Sequence, residues 1–94
     1  MSDYDIAHIN QQGVDLIIVP LDSSFGYKSP ADQRSVINAL QRCTQGASLK
    51  GTVVPVWDSN GSMAFIAPQE WHPFFQSIDM SYVAMSINRR LTCG

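Results

Sequence analysis

His72, in the run "FIAPQEWHPFF" (Phe65 to Phe75), is the histidine with the most candidate partners for chemistry. A nucleophile activated by a base needs a hydroxyl on one side of the imidazole and an orienting carboxylate on the other. Ser24, or its neighbour Ser23, and Asp58 are the residues that would fill those roles. Their spacing lends no support, because no GxSxG elbow leads into a helix. A histidine between Trp71 and Pro73 is also well suited to packing, with its ring bonded to a backbone group. A small hydrolase-like enzyme using His72 with a serine or an aspartate is therefore the alternative reading, and the sequence leans away from catalysis.

A second candidate is the loop "DSSFGYKS", Asp22 to Ser29. It follows a strand and precedes a helix start, where α/β proteins commonly bind ligands. Ser23, Ser24, Lys28 and Ser29 could hold an anion there, but the P-loop spacing is absent and Asp22 opposes a phosphate. The simpler expectation is a solvated loop with Phe25 and Tyr27 tucked against the sheet. Asp22, Asp58 and Glu70 are three scattered carboxylates and a poor basis for a metal. No metal and no cofactor is expected.

The third feature is aromatic. Phe65, Trp71, Phe74 and Phe75 are four of the nine Phe, Trp and Tyr residues in the chain, so the run must cover something large and apolar. Pro68 and Pro73 interrupt it, which predicts neither a regular strand nor a long helix. With Trp57, these residues make three readings: a core plug, an interface between copies, or a small-molecule pocket. The plug is the reading the pattern favours.

These groups need a scaffold, and the chain of 94 residues has the length of one domain. A net charge of −2 with no basic run beyond Arg89-Arg90 gives no electrostatic footprint for nucleic acid. The same lack of basic clusters argues against a polybasic membrane anchor. The N-terminus lacks the apolar stretch of a secretory signal, which predicts a cytoplasmic protein. Cys43 and Cys93 lie far apart without CxxC spacing, so neither a zinc site nor a disulfide framework is suggested; reduced thiols are the default, with a redox pair between the two as the lesser alternative.

"VDLIIVPL" (Val14 to Leu21) reads as a strand buried on both faces. Ser29 as N-cap, Pro30 and Asp32 open a helix that carries Val36, Ile37, Leu40 and Cys43 or Thr44 on one face and ends at Gly46. "GTVVPVWD" and "SMAFIA" are strands joined by an Asn60-Gly61 hairpin turn. "SIDMSYVAMSINRRL" (Ser77 to Leu91) shows helical spacing at Met80, Val83, Ala84, Ile87 and Leu91. The expected fold class is α+β, in the order β-α-β-β-α, with a small mixed three-stranded sheet and two helices. Residues 14–94 form this single domain, and residues 1–13 are a lead-in of uncertain form. Pro55 lacks an N–H for a ladder and places its strand at a sheet edge, with the other hairpin strand in the middle and the first strand beyond it.

"DLIIVPLDSSF" together with "GTVVPVWDSNGSMAFIAPQEWHPFF" resembles a group of small bacterial proteins, some carried on mobile integron gene cassettes. The likeness runs from about Val14 to Arg90, with a variable N-terminus, and its distinctive blocks are "VVPVWD" and "WHPFF". It implies a bacterial, cytosolic, freestanding α+β domain that assembles as a dimer or larger. It carries no activity and no catalytic residues. The expected function is a non-enzymatic binding or assembly module that self-associates through an apolar surface around Trp57, Phe65, Trp71, Phe74 and Phe75. A dimer is the simplest form, and no nucleic-acid or membrane partner is expected.

Overall fold

The computed structural model describes residues 2–93. Its centre is β2 (Val14–Pro20), whose Leu16, Ile17, Ile18 and Val19 are all fully buried. Successive strand side chains point to opposite faces, so burying four in a row requires cover on both sides. The sheet order is β4-β3-β2-β1-β5, with β1 (Ser2–Gln11), β3 (Thr52–Ser59), β4 (Ser62–Phe65) and β5 (Arg89–Cys93). Among the described residues only β2 and β3 run parallel, and α1 (Pro30–Gly46) makes the crossover between them. Two short helices follow the hairpin of β3 and β4: α2 (His72–Gln76) and α3 (Met80–Ser86).

The α+β class holds, but among the described residues the sheet is mixed and has five strands, and there are three helices. Residues 2–11, within the lead-in whose form the sequence left open, form a strand between β2 and β5. Its Ala7–Gln11 half pairs with β2 and its Ser2–Ile6 half with β5. Gln12 and Gly13 make the hairpin turn, with φ of 53° and 81°. These are the left-handed conformations of a two-residue turn, and glycine at the second position relieves the strain.

The C-terminal segment is a second correction. The helix stops at Ser86, and Arg89–Cys93 is an edge strand. Ile87 and Leu91 satisfy an i, i+4 spacing, but Leu91 and Cys93 also alternate with period 2, and pairing with β1 decides between them. Asn88 helps the switch. Its side-chain amide exchanges hydrogen bonds with the backbone N–H and C=O of His8, at 2.9 and 2.8 Å, so a side chain continues the ladder.

Pro55 is not at an edge. It is fully buried in β3, between β2 and β4. Its carbonyl accepts from Ile66 N–H, so its ring nitrogen faces the same side, where the four-residue ladder of β4 has just ended at Phe65. No donor is missed on the β2 side. The proline is tolerated because it marks the place where the β4 chain leaves the sheet.

The two apolar faces are covered differently. Ile6, Ile17, Val19, Val53 and Leu91 lie under Leu40 of α1, with Val36 and Cys43 packed alongside. Ser29 caps this helix by accepting from Asp32 N–H, with Pro30 in the first turn, and it runs to Gly46 as the sequence predicts. Gln41 ties it to the sheet, donating to the Gly51 carbonyl and accepting from Val53 N–H. Ala7, Leu16, Ile18, Val54 and Val56 form the opposite face, closed by Phe75 and Val83.

Cys43 on α1 and Cys93 on β5 are joined as a disulfide, with Cα atoms 5.8 Å apart. The expectation of unlinked, reduced thiols is thus overturned. Their 50-residue separation hides a spatial neighbourhood that exists only once β5 returns beside β1. Closing a loop of that length removes about 4 kcal/mol of chain entropy from the unfolded state. Cys93→Ser is expected to lower the unfolding free energy by about 2–4 kcal/mol. Reductant added to the wild type should act alike, and urea titration measures both. Unchanged midpoints in both experiments would mean that the pair is not linked in solution.

Candidate functional site

The aromatic run leaves the sheet after Phe65 and crosses one face as a short 3-10 turn (Gln69–Trp71) and then α2. Phe75 enters the core with 1% of its surface exposed. Phe65 stacks near it at 5.4 Å between ring centroids, and Phe74 at 5.1 Å in an edge arrangement. Such pairs add to the apolar area each ring buries. The plug reading therefore holds for Phe75. Phe65, Trp71 and Phe74 are only half-buried.

Trp57 does not belong to this cluster. It shares a strand face with Val53 and Pro55, on the α1 side of the sheet, and its ring meets Phe25 at 5.0 Å edge-on. The single aromatic surface expected from the sequence is two surfaces on opposite faces. Alternation along β3 decides this, since an odd position cannot join the side of Val54 and Val56.

Two clefts follow. The first, about 570 Å³, lies between Val14 and Thr52 of the sheet and Pro68, Glu70, Trp71 and Phe74 of the crossing segment. The Phe74 ring also meets Tyr82 of α3 at 6.4 Å, and Met85, three residues on, is 87% exposed. Trp71, Phe74, Tyr82 and Met85 thus make an apolar strip on the outside of a core already closed by Phe75 and Val83. The second cleft, about 460 Å³, sits on the Trp57 side and is lined by Ser23, Gly26, Tyr27, Trp57, Asp58 and Asn60.

His72 does not meet the serine–aspartate pair. Its Nε2 lies 3.0 Å from the Ala67 carbonyl oxygen, a bond in which the ring donates, and the ring packs edge-on to Phe65 at 5.3 Å. This holds the turn Ala67–His72 closed. Ser23 and Asp58 line the second cleft, and Ser24 is exposed beside it, with its backbone N–H donated to Asp22 Oδ1.

In the anion-loop candidate, Asp22 caps the 3-10 turn Ser23–Tyr27 and Ser29 caps α1, so two of its polar groups already serve the backbone. Phe25 is buried as expected, whereas Tyr27 is 88% exposed, not tucked against the sheet. Among the described residues, no three His, Cys, Asp or Glu side chains gather as a metal site, and Asp22, Asp58 and Glu70 stay apart. Nor is any helix among them long and apolar enough to cross a membrane. His8, in β1, donates its Nε2–H to the Lys50 carbonyl at 2.7 Å. No protein-family model, curated protein or solved structure matches the chain.

Truncations should rank by burial. Phe75→Ala is expected to cost about 3–5 kcal/mol, as core aromatics do, and Trp71→Ala no more than about 2 kcal/mol because its ring is only partly buried. His72→Ala should cost about 1 kcal/mol, since it leaves the half-buried Ala67 carbonyl short of a donor. Thermal or urea melts give all three. A Trp71 variant as damaging as the Phe75 variant would contradict this division of labour.

Proposed function

We propose that the protein is a non-enzymatic binding and assembly module that self-associates through the strip Trp71, Phe74, Tyr82 and Met85. The observation that carries this reading is the large exposure of apolar side chains outside a core that is already closed. Met85 alone is 87% exposed and Tyr82 41%. Aromatic residues and methionine are enriched at the centres of protein interfaces, and Glu70 at the margin of the neighbouring cleft supplies a polar rim. A two-fold dimer is the simplest closed arrangement, because one self-complementary patch then satisfies both copies.

The hydrolase-like alternative loses support from the His72 geometry. Its ring is engaged by the Ala67 carbonyl and the Phe65 ring, and neither Ser24 nor Asp58 is hydrogen-bonded to it. The bacterial cytoplasmic setting that the sequence resemblance implies would hold thiols reduced, whereas the linked Cys43–Cys93 pair favours an oxidising setting. Alkylation trapping in intact cells discriminates the two settings.

Sedimentation velocity at micromolar concentration should give a dimer for the wild type and a monomer for Met85→Glu. Met85 is exposed, so its substitution should leave the melting temperature unchanged. A monomeric wild type across that range would overturn the reading.

A further inference from the structure

We infer that the cleft on the Trp57 side binds a small, neutral, hydroxyl-rich molecule, with the chemistry of a monosaccharide. The cleft lies at the carboxyl ends of the parallel strands β2 and β3, beside the segment that leads into α1. Ligands in open α/β arrangements collect at this position. Its volume of about 460 Å³ suits a small ligand.

Its lining selects the chemistry. Trp57 is 8% exposed, and no acceptor among the described residues takes its indole N–H, yet that atom is not sealed in the core. It is held at the cleft by Gly26: a Cβ there would stand 2.6 Å from Trp57 Nε1, so only glycine lets the indole lie against the loop. Ser23 and Asn60 both donate and accept, whereas Asp58 borders the cleft from an even position of β3, whose side chain belongs to the Val54 and Val56 face. Asn60 has φ of 53° in the hairpin turn, at the rim of the cleft. Tyr27, 88% exposed while its neighbour Phe25 is buried, supplies an open ring face.

No ligand of a single hydrogen-bonding type fits this set. A phosphate needs cationic partners to offset its charge, and neither lysine nor arginine lines the cleft. An ammonium group only donates, which leaves the Trp57 N–H without an acceptor. Hydroxyl groups donate to the Ser23 and Asn60 oxygens and accept from Trp57, and the C–H face of a sugar ring removes the Tyr27 ring from water. The site lies on the face opposite the self-association strip, so the two proposals stand or fall separately.

The test is titration of the ¹⁵N-labelled protein with D-glucose, D-galactose and N-acetyl-D-glucosamine at millimolar concentrations, following the Trp57 indole N–H signal. At least one sugar should move that signal saturably. Tyr27→Ala and Ser23→Ala should each weaken binding by about tenfold, the equivalent of roughly 1.4 kcal/mol, and Tyr27→Phe should retain it. Inorganic phosphate and ammonium should leave the signal in place. The inference is overturned if no sugar moves it, if only phosphate or ammonium does, or if Tyr27→Ala and Ser23→Ala bind like the wild type.

Discussion

Everything in this fold depends on β2 being apolar on both sides. Leu16 and Ile18 point one way, Ile17 and Val19 the other, and all four are fully buried. Burying each side chain stabilises the protein by roughly 1.5–3 kcal/mol, but only if something dry lies above and below. A small chain has little material for two covers. One is a long helix, α1, carried there by the parallel crossover. The other is assembled from short pieces: the aromatic turn, α2 and α3. The pieces are short because they must follow a curved surface between two proline-punctuated points, whereas α1 is a single amphipathic rod with Leu40 and Thr44 inward.

Local signals in the sequence were reliable where one residue type has one conformational use. Ser29-Pro30 opened a helix and Asn60-Gly61 a hairpin because capping and left-handed φ are properties of those residues themselves. Signals failed where the deciding partner is distant. Leu91 fits a helix by spacing and a strand by alternation, and only β1, more than eighty residues earlier, selects the strand. The first residues carry mixed polar and apolar character that reads as a lead-in until β2 and β5 flank it. Cys43 and Cys93 show the same effect, since their proximity exists only in the finished sheet.

The candidate sites divide along similar lines. That an aromatic run must cover apolar surface followed from composition, and Phe75 does so. Which rings share a face did not follow, although strict alternation along β3 already separates Trp57 from Val54 and Val56. Tyr27 was assigned to the sheet because it is aromatic, yet the 3-10 turn Ser23–Tyr27 allows only Phe25 to reach inward. The polar cleft was missed for a related reason. Its donors and acceptors come from two loops whose meeting depends on β2 and β3 running parallel and ending together.

Pro55 links these observations. As an interior proline it removes one ladder donor, and that loss falls on the side facing the end of β4. With no N–H to hold the residue opposite, extending β4 past Phe65 would gain fewer hydrogen bonds per residue fixed. The chain is free to turn at Ile66 and cross the sheet, and Pro68 then directs it away from regular strand. Ile66 still donates to the Pro55 carbonyl, so the departure is anchored on one bond. The same residue therefore shortens the edge strand, which limits its use as a template for pairing with other chains. It also releases the aromatic segment over the face that needs cover. The half-buried state of Trp71 and Phe74 follows from this route: a segment anchored at Ile66 and plugged at Phe75 must arch between those points, and the rings on the arch cannot all reach the sheet.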